Sequence, residues 1–214
     1  MMTEYFSTEH IDTIVFDLGG VLMTHNMRGC IDAFLSLMGK EAMTNVLGLG
    51  TDGEGAEGTL MEKYELGNIS TDDFINGILC YCKTGTTFDD VKKAWITMHG
   101  EIPADRLDYL RELKHNNYRL FMLSNNNELH WADVMTKYHL DKYFDKMFAS
   151  HIMHCSKPSR LLFEEVAKQI GVESDRVIFI DDLLANRQMA QEAVGWRTCD
   201  SVETLKKMRL TPCR

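Results

Sequence analysis

Hydrophobic and polar positions change period along this chain, and the changes divide it into three stretches. Residues 12–17 are the first predicted strand, with a β-branched and aromatic run up to Phe16, the pattern of a strand covered on both faces. From about residue 24 to 102 the period becomes helical. Ile31, Phe34, Leu35 and Met38 share one face. Ser70-Thr71-Asp72-Asp73 reads as a capping box, and Phe74, Ile78 and Cys82 follow at four-residue steps beside Ile75 and Leu79. Val91, Trp95 and Met98 form another stripe. Past Pro103, read as the first residue of a helix, helix and strand patterns alternate. Leu107, Leu110 and Leu113 mark a helix, 118–123 a strand, 128–138 a helix and 146–149 a short strand. Leu162, Val166 and Ile170 mark a helix closed by Gly171, and 176–180 is a buried strand. A helix then runs to Val194, where Gly195 stops it, and 196–199 is a last strand.

This order predicts an α/β protein: a Rossmann-like, doubly wound parallel sheet made of residues 1–23 and 103–214, with an all-helical unit, 24–102, inserted after the first strand. Periodicity does not give the strand order. Residues 48–58 are glycine-rich and lack the G-K-[ST] ending of a phosphate-binding P-loop. They read as a surface loop, or as one lining the entrance to a site.

Length and charge narrow the classes. A chain of 214 residues that is 44% hydrophobic can hold one large domain with an insert. No apolar run approaches the roughly 18–20 residues of a membrane span. The first ten residues are polar and acidic, unlike a secretory signal. A formal charge of −9 disfavours nucleic acid and anionic membranes as partners. Six cysteines without a C-x-x-C pair fit reduced thiols in a cytoplasm. The oligomeric state is not legible.

Candidate chemistry lies where strands end, because ligands of open α/β sheets bind beyond the carboxyl ends of the strands. Those ends carry Asp17 followed by Gly19 and Gly20, then Ser124-Asn125, a loop with Lys157, and Asp181-Asp182. Each has a structural alternative: Ser124 as a helix N-cap, Lys157 as a solvated loop lysine, and the acid pair as caps of the next helix. Together they offer hard carboxylate oxygens suited to Mg²⁺ and a substrate phosphate. Phosphoryl transfer would then use Asp17 as nucleophile. The Ser124 hydroxyl and nearby backbone amides would hold phosphoryl oxygens, Lys157 would pair with the phosphoryl group and Asp17, and Asp181 and Asp182 would hold the metal.

These residues resemble the four motifs of the haloacid dehalogenase-like hydrolases over nearly the whole chain. The motifs are Phe16-Asp17-Leu18-Gly19-Gly20-Val21-Leu22, then Met122-Leu123-Ser124-Asn125-Asn126-Asn127 with His130, then Lys157-Pro158, then Phe179-Ile180-Asp181-Asp182 with Asn186, Ala190 and Gly195. The helical insert, including 65–70, resembles the small four-helix cap that selects substrates in this family. The resemblance implies a Mg²⁺-dependent phosphatase acting on a small phosphorylated metabolite. Asp17, Ser124, Asn125 and Lys157 would be catalytic, with Ser124, Asn125, Lys157, Gly19 and Gly20 touching substrate. Asp17, the Gly19 carbonyl, Asp181 and Asp182 would hold the metal.

Two positions depart from the family pattern. Gly19 stands where family phosphatases carry a second Asp as general acid and base, and Ser159-Arg160 stands where Asp-Pro is common. The D-x-G-[GN]-V form is similar to a bacterial glucose-1-phosphate phosphatase branch, and water, the substrate or a cap group such as His25 would take over the missing proton shuttle. A 2-haloacid dehalogenase also lacks the second Asp but needs no metal. A catalytically weakened phosphate-binding protein is the other alternative.

Overall fold

The computed structural model describes residues 11–48, 58–208 and 210. Five strands form one sheet: β1 (Thr13–Phe16), β2 (Arg119–Ser124), β3 (Lys146–Ala149), β4 (Val177–Ile180) and β5 (Arg197–Cys199). Their order is β3-β2-β1-β4-β5 and every pairing is parallel. β1 lies at the centre, with Phe16 level with Met122 on one side and Ile180 on the other. The chain runs from β1 outward to β3, then returns to β4 on β1's free edge. The junction of β1 and β4 is therefore the topological switch point, where open α/β sheets bind their ligands.

Alternation along the strands explains why both faces are covered. Ile14, Phe16, Leu120, Met122, Ile178 and Ile180 face one layer, packed with Leu110 and Leu113 of α6 (Ala104–His115) and Val134 of α7 (Glu128–Tyr138). Val15, Phe121, Leu123, Val177 and Phe179 face the other, packed with Phe163 and Val166 of α9 (Arg160–Ile170) and Ala190 of α10 (Leu184–Val194). A short α8 (Ser150–Met153) follows β3, and α11 (Val202–Lys207) closes the chain.

Between β1 and α6 the chain forms α1 (Met27–Leu37), α2 (Lys40–Leu47), α3 (Leu60–Glu65), α4 (Thr71–Leu79) and α5 (Phe88–Ile96). These helices have their own apolar cluster, centred on Phe34, Tyr64, Phe74 and Trp95. The two connections to the sheet are stitched together. Thr24 N–H donates to the Glu101 carbonyl (3.0 Å), Gly100 N–H to the Thr24 carbonyl (2.9 Å) and Asn26 N–H to the Met98 carbonyl (2.8 Å).

Several local expectations are corrected. Pro103 is the N-cap of α6, not its first residue, and its carbonyl accepts from Arg106 N–H. Ser70 caps α4 through its hydroxyl, but Asp73 receives that hydroxyl rather than the Ser70 N–H. The complete capping box is Thr87 with Asp90, at the start of α5. α4 ends at Leu79, so Cys82 lies beyond the helix, its thiol turned back on the Ile78 carbonyl. Of the glycine-rich stretch, Gly48 ends α2 in the left-handed region and Gly58 is also left-handed; 49–57 lie outside the described residues. Among the described residues no helix is long and apolar enough to cross a membrane.

Candidate active site

Asp17 follows β1 directly, and its N–H remains in the sheet, donating to the Ile180 carbonyl at 2.8 Å. The chain then turns within six residues: Leu22 and Met23 N–H both donate to the Leu18 carbonyl (2.9 and 2.8 Å) and Gly20 N–H to that of Met23 (2.9 Å). Gly20 has φ +73°, and a Cβ there would lie 2.3 Å from an Asp182 carboxylate oxygen. Conformation and space both require glycine at this position. Gly19 differs, because it is not in the left-handed region. A Cβ at Gly19 would lie 2.5 Å from both Cε1 and Nε2 of His25. The imidazole occupies the space a side chain at position 19 would need.

Lys157 joins the acids. Its side chain is 1% exposed, and Nζ lies 2.9 Å from Asp17 Oδ1 and 2.6 Å from Asp181 Oδ2. It is not a solvated loop lysine. Asn125 holds the lysine's backbone in a two-bond clasp: Nδ2 donates to the Lys157 carbonyl (3.0 Å) and Oδ1 accepts from the Lys157 N–H (2.8 Å). The Asn125 side chain therefore positions Lys157. Ser124, buried at the end of β2, does not cap α7; Asn127 does, accepting from His130 N–H. Among the described residues the Ser124 hydroxyl reaches only the next carbonyl, at 3.4 Å, and stays available to a ligand.

The two acids after β4 differ. Asp181 is fully buried, and its carboxylate accepts from Lys157, from Leu183 N–H (2.9 Å) and from Asn186 Nδ2 (2.9 and 3.0 Å). It fixes the start of α10 and the lysine together. Asp182 is exposed, and no described residue donates to its carboxylate. Oxygens of Asp17, Asp181 and Asp182 lie within 4.8 Å of one another. Burial pushes the Asp17 carboxyl up to about 7, Lys157 opposes this, and Asp181 adds to it. Three hard carboxylates against one ammonium leave an excess of negative charge, and that donor set fits Mg²⁺.

No pattern of apolar positions marks how the inserted helices meet the sheet. Asn127 Oδ1 accepts from Trp95 Nε1 (3.2 Å), and its Nδ2 lies 3.1 Å from His130 Nδ1. His130 Nε2 lies 2.8 Å from the Trp95 carbonyl, and the two rings stack at 5.0 Å. With Nε2–H donating to that carbonyl, Nδ1 is left to accept from Asn127. Burial pushes the His130 imidazole down to about 4, against the Trp95 carbonyl and Asp133, which raise it, so it is neutral at pH 7. Further along the seam, the Tyr64 hydroxyl accepts from Leu129 N–H (3.0 Å), and Ser150 Oγ lies 2.6 Å from the Glu65 carbonyl. Asn126 and Asn127 read as turn residues from sequence, but Asn127 bonds directly to the insert at Trp95, and Asn126 meets it through Ser150, whose hydroxyl also reaches the Glu65 carbonyl. A cavity of about 540 Å³ opens at this seam between Gly67–Ser70 and Glu128 and His151, and none of the acid cluster lines it.

Comparison with known proteins agrees with this architecture. A family model described as haloacid dehalogenase-like hydrolase matches residues 11–193. The chain is 27% identical over 194 residues to a D-ribitol-5-phosphate phosphatase of Bacteroides thetaiotaomicron, covering 88% of this chain and 90% of that protein. It is 28% identical over 203 residues to a sesquiterpene phosphatase of Aspergillus oryzae, covering 91% and 93%. A crystal structure of a family enzyme from B. thetaiotaomicron, in complex with magnesium and inorganic phosphate, superposes with a TM-score of 0.77 at 27% identity, covering 89% of this chain and 93% of that one.

Proposed function

Because the chain belongs to the haloacid dehalogenase-like hydrolases, we propose that it is a Mg²⁺-dependent phosphatase that hydrolyses a small, sugar-like phosphate monoester through an aspartyl-phosphate on Asp17. One observation carries this reading: a buried carboxylate at the switch point of the sheet is oriented through one oxygen only. Asp17 Oδ1 is held by Leu18 N–H (2.7 Å) and Lys157 (2.9 Å), while Oδ2 has no hydrogen bond among the described residues. Oδ2 attacks phosphorus, and the bond from phosphorus to the leaving oxygen breaks. The Ser124 hydroxyl and the backbone N–H groups of Gly19 and Asn125 hold the phosphoryl oxygens, the N–H groups of Asp17, Leu18 and Gly20 being engaged within the fold. Lys157 opposes the burial that favours the protonated form of Asp17, and balances the charge of the transferred group. Water then attacks the aspartyl-phosphate, releasing phosphate and restoring Asp17. Bound Mg²⁺ would neutralise charge on the phosphoryl group, held by Asp17, Asp181, Asp182 and the Gly19 carbonyl.

His25 takes the proton role that Gly19 cannot fill. Its ring stands beside the Gly19 backbone on the exposed side of the turn. There it donates a proton to the leaving oxygen and takes one from the attacking water. General acid–base catalysis is worth about 10²–10⁴-fold, so His25→Ala should lose turnover by that factor. Wild-type turnover in that variant would remove His25 from the mechanism.

Residues 1–23 and 103–214 are read as the catalytic core and 24–102 as its four-helix-type cap. The glycine pair after Asp17 supports the branch that includes glucose-1-phosphate phosphatases. The relative named for ribitol 5-phosphate supports a polyol or sugar phosphate as substrate. The five described cysteines are free thiols, which supports a reducing cytoplasm. The test is phosphate release from a panel of sugar and polyol phosphates, nucleotides and p-nitrophenyl phosphate, in Mg²⁺ or in EDTA, with Asp17→Asn as control. Release that needs Mg²⁺ and Asp17 supports the proposal. Tight phosphate binding without release from any compound would favour a binding protein instead.

A further inference from the structure

Resting on the Mg²⁺ reading above, we propose that Arg187 is a positioning residue for the carboxylate of Asp182, acting through the backbone of the Asp181–Asp182 turn. The two acids need different kinds of support. The Asp181 carboxylate is fixed by side-chain and backbone donors, whereas that of Asp182 has none among the described residues. Yet it sits in a defined place, over the bare backbone of Gly20, where a Cβ would come within 2.3 Å of it. Its position is therefore set by the course of the turn, and the turn's course by where its carbonyls are held.

Arg187 holds both. One guanidinium nitrogen, Nη1, donates to the Asp181 carbonyl at 2.7 Å and to the Asp182 carbonyl at 2.8 Å. A terminal guanidinium nitrogen carries two hydrogens in a fixed plane, so it can span two adjacent carbonyls. The side chain is half-buried and comes from the first turns of α10, whose N-cap, Leu183, supplies no side-chain capping bond. Arg187 ties the acidic turn to the body of the helix that follows it.

This role opposes the residue's charge. A guanidinium bonded to the carbonyls of Asp181 and Asp182 repels a cation arriving at their carboxylates, so a purely electrostatic Arg187 would weaken Mg²⁺ binding and its removal would tighten it. A positioning Arg187 gives the opposite sign. Partners that orient metal ligands typically contribute about 10–100-fold to metal affinity.

The test is calorimetric Mg²⁺ titration of the full chain without substrate, which reads the metal directly and not turnover. Arg187→Met should weaken the Mg²⁺ Kd by about 10–100-fold. Arg187→Lys, which keeps the charge and donors but not the planar fork, should bind Mg²⁺ more tightly than Arg187→Met and less tightly than wild type. In an Asp182→Asn background Arg187→Met should weaken binding no further, because the residue acts through Asp182. Binding by Arg187→Met as tight as wild type, or tighter, overturns the proposal, as does an additive loss in the double variant. Should Arg187→Met fail to fold, Arg187→Gln carries the same test, and tighter binding by it refutes the role. Failure of the wild-type chain to bind Mg²⁺ would overturn the metal reading itself, an outcome distinct from an unaffected Arg187 variant.

Discussion

Replacing Asp17 by Asn should make the metal-free protein more stable at alkaline pH while abolishing its activity. Folding raises the Asp17 carboxyl from 3.8 to about 7, mainly through burial. With a raised folded value, the folded chain holds this proton more tightly than the unfolded chain between those limits. Stability therefore falls as pH rises from about 4 to about 7, and the loss is complete above that range. A shift of about three units at about 1.4 kcal/mol each sets a ceiling of about 4 kcal/mol. Coupling to Lys157 and Asp181 makes about 2–4 kcal/mol the working expectation. Asn cannot ionise, and its Oδ1 still accepts from Leu18 N–H and Lys157, the two contacts Asp17 Oδ1 makes. Urea unfolding in EDTA should show Asp17→Asn more stable than wild type by about 2–4 kcal/mol at pH 8, with the gap shrinking towards zero as pH approaches 4. Saturating Mg²⁺ should close the gap at pH 8 by stabilising the wild type. A variant less stable than wild type at pH 8, or a gap that ignores pH, would refute the reasoning.

Other variants probe other parts of the site. Lys157→Met leaves two buried carboxylates unpaired and should destabilise the metal-free protein by about 3–5 kcal/mol; denaturation showing a loss below about 1 kcal/mol contradicts a buried ion pair. Asp182→Asn alters an exposed carboxylate, so unfolding in EDTA should change by no more than about 0.5 kcal/mol while stabilisation by Mg²⁺ shrinks without vanishing. Asn127→Ala removes an N-cap and strands Trp95 Nε1, and thermal unfolding should report a loss of about 2–3 kcal/mol. Retention of full stability would mean that the seam at Trp95 and His130 contributes little.

The centre of the sheet was legible in sequence because its strands hold short apolar runs, such as 13–16 and 177–180, each followed by an aspartate. The acid cluster was legible because a parallel sheet brings all such ends to one edge, which fixes the neighbourhood of Asp17, Ser124, Lys157 and Asp181 without any knowledge of strand order. What periodicity could not report were contacts between residues distant in sequence. Trp95 read as one member of a helical stripe, yet its indole N–H belongs to Asn127. Asn125 read as a phosphoryl ligand, yet its side chain is engaged with the Lys157 peptide. Arg187 had no motif to mark it, because it acts on carbonyls. The Gly19 position was visible as a departure, but its reason, the His25 ring, became visible only in three dimensions.

The most direct test of the account is whether Asp17 becomes phosphorylated. Wild type and Asp17→Asn would be mixed with a phosphate ester that the panel shows to be turned over, in Mg²⁺, acid-quenched within one turnover and digested for mass spectrometry. The account predicts a phosphoryl adduct on Asp17 in the wild type and none in the variant. Phosphate release without any adduct on Asp17, or an adduct on another residue, would contradict it.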